Sequence, residues 1–473
     1  MIYISSGFSH SDIYIIIKIS DEINYINKSN TIIIDDIDRF NLNHTNFKSK
    51  IIFIGNVKKK HHLFNLLKSF IKFSPISFAK FKIPNFLLNF EKNSFFHSVW
   101  DITRISNKMQ LNHFIFKFHL VLNYLRCIKY HSKINRYYNE NDFKISFFSH
   151  IVYYNKISYN IFNTTSSKAF YIVNFSLGKL NNFNNSWILN LYNDYNLIKD
   201  LVNLNYNKFW INRLKGNGFY EDATRSYSNN NEFIVYENYS NIIFLHIFDD
   251  SPFIDIDASR IFIDYYKWFI ETLKIINKSS ETWHIKIHPS SKRWGENQLN
   301  IIRPLVNTYC KSLFNSNKLF IIDNNINNEI LIKKATRILT FGGTIIYESI
   351  ALGKKPIVIS NLVSDVNISI KQAFCKPNNL NEYTVFLLNK YDPMIQNIDH
   401  IENAKKILFI REDLFNFGKH FKLGYLYRND NDIQKDQVYK KSVINSNINS
   451  IKFIAKNIID NQPVINPDYF IKC

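Results

Sequence analysis

Residues 337–360, RILTFGGTIIYESIALGKKPIVIS, constrain the fold of this chain more than any other stretch. A short apolar run, RILT, enters a Gly342-Gly343-Thr344 turn. An amphipathic segment, 345–352, follows, and GKKPIVIS closes the unit with a second apolar run. An apolar run, a glycine turn, a helical period and another apolar run together read as strand–loop–helix–strand. The helix of such a module returns the chain to the start of the next strand, so the strands lie parallel. Upstream, Trp283-His284-Ile285-Lys286-Ile287-His288-Pro289 alternates with period two and stops at a proline, which ends a strand.

The same alternation extends through the second half. Strands are expected over 241–248, 282–287, 318–322, 337–340 and 356–360, with helices over 262–276, 296–313, 327–334 and 345–352. In the first half, strands are expected over 2–5, 31–34, 50–54, 144–148 and 169–174. Helices are expected over 62–73 and 105–130. Residues 221–240 are polar and aromatic with little periodicity, and read as the region between domains. A chain of 473 residues exceeds one ordinary core. The expected division is a first α/β domain over 1–235, a second over 236–440, and a helical tail over 441–473 that could pack on the first. Ligands of such sheets gather beyond the carboxyl ends of the strands.

Composition narrows the classes of function. Hydrophobic residues at 46% and aromatic residues at 16% point to a folded globular chain. The formal net charge of +20 admits nucleic acid, an anionic membrane surface or phosphorylated substrates as partners. The lysines are scattered and no arginine-rich arm occurs. The abundance of Asn, Ile and Lys matches an AT-rich coding sequence, so nucleic acid is not expected. Cys127, Cys310, Cys375 and Cys473 form neither a zinc knuckle nor a CxxC pair, which suits a reducing compartment. The N-terminus lacks the basic head and cleavage site of a signal peptide, and no stretch has the length of a membrane span. A cytoplasmic protein is expected, with any membrane contact peripheral.

Several constellations could carry chemistry. The Gly342-Gly343-Thr344 turn permits close approach of a phosphate, and Thr344 can cap the helix or bond that phosphate. Glu348, one turn later, could accept from ribose hydroxyls. The plainer reading is a tight strand–helix connection with a solvated glutamate. His288, oriented by Pro289 at a strand tip, can donate to a phosphoryl oxygen, and Lys286 could add positive potential. Alternatively, His288 is satisfied by neighbouring backbone. Asp249-Asp250 after the strand IIFLHIF places two carboxylates together; one could deprotonate an acceptor hydroxyl, or cap the Asp250-Ser251-Pro252 turn. His246 on that strand reads as structural. In the first half, His150 after Ser149 could bind an acceptor or act as a base, or be an ordinary loop histidine. The SSGFSHS loop with His10, and the Lys58-Lys59-Lys60-His61-His62 cluster, are weaker candidates for a sugar or phosphate group and for anionic lipid. No zinc signature, Ser-His-Asp signature or Walker loop is visible, and Asp255-Ile256-Asp257 matches a DxD metal motif only literally. The glycine turn and the His-Pro strand end together suggest a nucleotide-sugar site, with no other cofactor and no metal.

The motif series resembles bacterial capsule and surface-polysaccharide biosynthesis proteins, especially the capsular polysaccharide synthesis family related to Kdo transferases. The matching stretches are FLHIFDDSPF at 244–253, DYYKWFIETL at 264–273, WHIKIHPSS at 283–291 and RILTFGGTIIYESIALGKKPIVIS at 337–360. FFSHIVYYNKISYN at 147–160 is similar to that group's SH-x-x-Y segment. The resemblance implies an α/β fold of two Rossmann-like domains facing a cleft, the GT-B arrangement. The second domain would hold the nucleotide donor and the first the acceptor. It further implies that His288 and Pro289 grip the nucleotide phosphate, with Gly343, Thr344 and Glu348 in the matching helix-start region. Asp250 corresponds to a recurrent acidic position, with Asp249 beside it. A metal-independent mechanism and a CMP-sugar donor would follow.

The expected function is therefore a glycosyltransferase of surface-polysaccharide synthesis. The partners are a nucleotide-sugar donor, a lipid-linked or growing glycan acceptor, and an anionic membrane in peripheral contact. Two alternatives remain open. One is a CDP-polyol phosphotransferase of the teichoic-acid type, using His150 and His288. The other is a non-catalytic glycan-binding or assembly protein on a degenerate transferase fold.

Overall fold

The computed structural model describes residues 1–5, 10–29, 31–35, 47–53, 129–139, 143–148, 158, 161–162, 168–173, 176–179, 195–217, 226–227, 241–248, 261–262, 265–291, 296–322, 326–360, 370, 372–389, 393–395, 397–416, 420–421, 445 and 447–469. The chain divides into two compact units. Residues 1–105, 110–191 and 413–473 form the first, and residues 106–109 and 192–412 form the second.

The first unit contains β1 (Ile2–Ile4), α1 (His10–Ile26), β2 (Thr31–Ile34), β3 (Lys50–Phe53), β4 (Ile145–Phe148), β5 (Lys168–Val173) and β6 (Ser176–Lys179). The strands lie in the order β3-β2-β1-β4-β5-β6. All pairs are parallel except β5–β6. The central runs IYI, TIII and ISFF are buried at every residue. Unbroken apolar runs rich in β-branched and aromatic residues are what a sheet covered on both faces requires. Helix α1 is buried through residues 13–24 apart from Lys18. Its isoleucines are stiff and only moderate helix formers, so burial rather than propensity sustains this helix.

The second unit begins with α2 (Tyr195–Leu214). It continues through β7 (Asn241–Phe244), α3 (Tyr265–Ile276), β8 (Trp283–Lys286), α4 (Gln298–Tyr309) and β9 (Leu319–Ile322). Next come α5 (Asn328–Lys334), β10 (Arg337–Thr340), α6 (Ile345–Ala351), β11 (Ile357–Val358), α7 (Leu380–Leu388) and α8 (Ile398–Phe409). Its all-parallel sheet runs β11-β10-β7-β8-β9. The helix expected over 296–313 is interrupted at Cys310, whose φ of −135° leaves the helical range, and a short helix, Lys311–Asn315, restarts after it.

Helix α9 (Ile448–Ile459) returns to the first unit and packs on α1. Tyr14 donates to Asn445 Oδ1 at 3.3 Å, and Lys168 Nζ donates to the Ile459 carbonyl at 2.9 Å. That packing suits the apolar run 13–19 of α1, broken only by Lys18, while the buried Asp21 and Asn24 that follow are bonded to Ser49.

Counted within its own unit, the first five strands of each sheet are parallel neighbours in the order third, second, first, fourth, fifth. That is the doubly wound Rossmann order. Two such units in one chain give the expected α/β fold of GT-B type. In the second unit the core on one face of the sheet gathers Trp268, Phe269 and Leu273 of α3, Trp283 and Ile285 of β8, and Phe341. Burying each such side chain contributes roughly 1.5–3 kcal/mol. Two polar groups of this core are paired, since Trp268 Nε1 donates to the Tyr383 hydroxyl at 2.9 Å and Thr272 Oγ1 lies 2.6 Å from the same oxygen, whereas Trp283 Nε1 is buried without a hydrogen-bond partner among the described residues.

Candidate functional site

In the second sheet the chain leaves β7 toward β8 on one side and returns through β10 on the other. A crevice opens at such a switch point, beyond the carboxyl ends of the strands. The loops after β7, β8 and β10 meet there.

Sheet bonding carries the first two loops past their strands. Leu245 N–H donates to the Lys286 carbonyl at 3.0 Å, and Ile287 N–H to the Ile322 carbonyl at 3.3 Å. His246 and His288 therefore stand side by side, with ring centroids 5.5 Å apart and planes at 44°. The buried Tyr265 hydroxyl on α3 accepts from His246 N–H. Gln298, also buried, opens α4 and joins the two loops. Its Oε1 accepts from His288 N–H at 2.7 Å, and its Nε2 donates to the His246 carbonyl at 2.8 Å. A primary amide presents an acceptor and donors at one end, which suits this double contact.

His288 has a defined protonation state. Its Nδ1 accepts from Ser290 N–H at 3.1 Å. Burial, with a smaller contribution from His246, pushes its pKa down to about 3. The ring is neutral near pH 7 and its proton sits on Nε2. That N–H has no hydrogen-bond partner among the described residues. His246 Nδ1 lies 3.3 Å from the Ile247 carbonyl. When Nδ1 donates there, Nε2 of His246 presents a lone pair.

The third wall is the Gly342-Gly343-Thr344 turn. Gly343 has φ +97°, a conformation that L side chains rarely adopt, and a Cβ there would lie 3.8 Å from His246 Cδ2. A Cβ on Gly342 would meet Ser360 Cβ at 3.3 Å, so this glycine permits close packing. Thr340 Oγ1 donates to the Gly342 carbonyl at 3.0 Å and fixes the turn. Gly343 is exposed, and the N–H groups of Gly343 and Thr344 have no acceptor among the described residues. The Thr344 hydroxyl makes no capping bond. The crevice thus offers several donors, an arrangement suited to an anion, with the buried Glu296 carboxylate close enough to add to burial in holding the Tyr265 phenol above its usual pKa.

Lys286 and Glu348 lie differently. Lys286 is buried on β8, and its ammonium donates to the Ile326 carbonyl at 3.1 Å. The Glu348 carboxylate is buried with both oxygens occupied. Oε1 pairs with Arg213 Nη2, and Oε2 accepts from the Tyr227 hydroxyl at 2.7 Å. Arg213 Nη1 also pairs with Glu412. Burial opposes the guanidinium charge, but Glu412 and Glu348 outweigh it and raise the Arg213 pKa. Burial lifts the Glu412 carboxyl above the usual range, with Arg213 pulling the other way. Glu348, expected to accept from ribose hydroxyls or else to be a solvated glutamate, ties α6 to α2 through Arg213.

Asp249, Asp250 and His150 lie outside the described residues, as do Asp255, Asp257 and the Lys58–His62 cluster. His10 begins α1. Of the expected site residues, the structure brings together His288, Pro289, Gly342, Gly343 and Thr344. It adds His246 and Gln298. The signal for His246 was its position just past the apolar end of β7, the counterpart of His288 past β8. Gln298 had no local signal. Among the described residues, no group of three His, Cys, Asp or Glu could hold a metal ion, and no helix is long and apolar enough to cross a membrane.

No family model and no curated protein matches the chain. Among solved structures it is similar to UDP-GlcNAc 2-epimerase from Methanocaldococcus jannaschii, at 13% identity over 86% of this chain and 98% of that one, with a TM-score of 0.26. It is also similar to a trehalose-6-phosphate synthase, at 9% identity over 92% and 99% of the two chains, with a TM-score of 0.32. A glycosyltransferase from Rickettsia africae ESF-5 aligns at 14% identity over 98% of both chains, with a TM-score of 0.25. These likenesses are distant, and the fold assignment rests on the strand order of the two sheets.

Proposed function

We propose that the chain is a glycosyltransferase of surface-polysaccharide synthesis, moving a sugar from a nucleotide-activated donor to a glycan acceptor. The observation that carries the reading is the switch-point crevice of the second unit. There the neutral His288 Nε2–H and the N–H groups of Gly343 and Thr344, on loops that both pack against His246, have no protein acceptors among the described residues. Donors held in place stabilise charge that develops on a phosphate.

In the proposed reaction an acceptor hydroxyl oxygen attacks the anomeric carbon. The bond from that carbon to the phosphate oxygen breaks, and the electron pair leaves with the nucleotide. His288 and the glycine turn donate to the departing phosphate. Asp250 takes the acceptor proton in this scheme, with Asp249 and His150 as competing bases. Glu348 acts by holding α6, and so the turn before it, against Arg213. The motif resemblance favours a CMP-sugar donor. A lipid-linked acceptor at the inner membrane face would suit the net charge of +20.

Nucleotide release tests the proposal. Full-length protein is incubated with CMP-, UDP- and GDP-sugars and a glycan acceptor, and free nucleotide is separated and counted. Acceptor-dependent release of one nucleotide, lowered at least about a hundredfold in kcat by His288→Ala, is expected. Tight nucleotide binding with no release from any donor would instead make the chain a non-catalytic binding protein.

A further inference from the structure

Helix α2 has a second face that neither the core nor the crevice uses. Ile198, Val202, Trp210 and Arg213 are buried on one side. Leu197, Leu204 and Ile211 are 69%, 80% and 53% exposed. They recur every seven residues, so they form one line along the helix, drifting by about 20° per repeat. A narrow stripe of this kind is the seam of a helix pair rather than the broad face of a helix lying on a core.

The charges on the stripe are arranged around its centre. Asp200 and Lys208 lie four residues before and four after Leu204, on the same side of the helix. Both are exposed, and neither has an ion-pair partner among the described residues. We propose that α2 is a self-association surface, on which a second copy of this chain packs antiparallel about a two-fold axis at Leu204. In that register Leu204 meets its own copy, Leu197 meets Ile211, and Asp200 meets Lys208, twice. A two-fold interface must be self-complementary in this sense. A parallel pair would set Asp200 against Asp200 and Lys208 against Lys208, and like charges in register disfavour it. A bilayer surface is less well matched, because the stripe is one residue wide and has a carboxylate beside it.

Sedimentation of the full-length chain from micromolar to several hundred micromolar provides the test. The wild type is expected to shift with concentration toward twice the 56.3 kDa chain mass. Leu204→Glu sets two carboxylates on the axis and should raise the dissociation constant at least about tenfold. Asp200→Lys and Lys208→Asp should each weaken association, and the double exchange should restore it. These residues are exposed, so melting curves taken at concentrations where the wild type is monomeric should stay unchanged and separate lost association from lost fold. A wild type that is monomeric throughout overturns the proposal, as does a dimer indifferent to Leu204→Glu. A double exchange that fails to restore association overturns the antiparallel register. Leu204-dependent sedimentation of monomeric protein with anionic phosphatidylserine vesicles would assign the stripe to a membrane instead.

Discussion

The two units share a strand order, but among the described residues one polar cluster beyond the strands of the first is closed where the switch-point cluster of the second is open. In the first, Asp35 follows β2, a position where open sheets often present an acid to a ligand. Here Asp35 is buried, and it accepts from the hydroxyls of Tyr3 and Tyr130. Burial, followed by Asp35, holds the Tyr3 phenol well above its usual pKa. In the second, His288 Nε2 and the exposed turn at Gly343 keep their donors turned away from protein partners. One topology thus supports a closed polar cluster and an open one. Side-chain satisfaction, not strand order, distinguishes a structural cluster from a candidate site.

The largest effect should come from breaking the closed cluster of the second unit. Arg213→Met leaves Glu348 and Glu412 facing each other without the cation that pairs with both, and among the described residues only Arg411 still acts on Glu412. A loss of about 3–5 kcal/mol is expected, read by urea unfolding with signals from the second unit. An unchanged midpoint would mean that the two carboxylates do not depend on Arg213.

Asp35→Ala should behave as a structural change only. Removing the carboxylate that accepts from the buried Tyr3 and half-buried Tyr130 hydroxyls costs about 1–3 kcal/mol, while nucleotide affinity should stay at the wild-type value. A matching loss of affinity would make the first unit's cluster part of a site and erase the contrast.

Gln298→Glu probes the open cluster more finely. The carboxylate still accepts from His288 N–H but cannot donate to the His246 carbonyl. The expected result is a drop in nucleotide affinity of roughly tenfold and a lowered melting temperature, because the new carboxylate is buried against a carbonyl oxygen, together with a raised His288 pKa measured by NMR. Lost stability without either change would assign Gln298 to the scaffold alone.

The last test is pH. His288 and His284 have folded pKa values of about 3 and about 4, below the 6.5 of a free imidazole. Between 6.5 and these values the unfolded chain binds protons that the folded one refuses. Their contribution is therefore fully present above pH 6.5 and is lost as pH falls through 4 and 3. His288→Ala should flatten the fall in unfolding midpoint between pH 7 and 5, and an unaltered slope would contradict the depressed pKa.

Much of this fold was legible because the second sheet is built from short apolar runs with sharp ends. The expected strand 337–340 coincides with β10, and the tail helix read at 448–459 coincides with α9. Helix α2 was not legible. One of its buried positions is an arginine and its exposed face carries leucines, so its pattern inverts the usual amphipathic code. Residues to 235 read as one domain, whereas α2 belongs to the second unit. The site was legible where backbone chemistry marked it, at Gly342-Gly343 and His288-Pro289. It was not legible where it depends on distant partners. Glu348 could not be known to meet Arg213, nor His246 to stand beside His288, until the chain was folded.

The central claim is that the second unit's crevice holds a nucleotide phosphate through His288. Calorimetric titration of wild type and His288→Ala with CMP, CDP, UDP, GDP and ADP tests it most directly. The account predicts selective binding of one nucleotide by the wild type, cytidine first, and its loss in a variant that melts normally. Equal affinity in the two proteins, or no binding of any nucleotide by folded wild type, would contradict it.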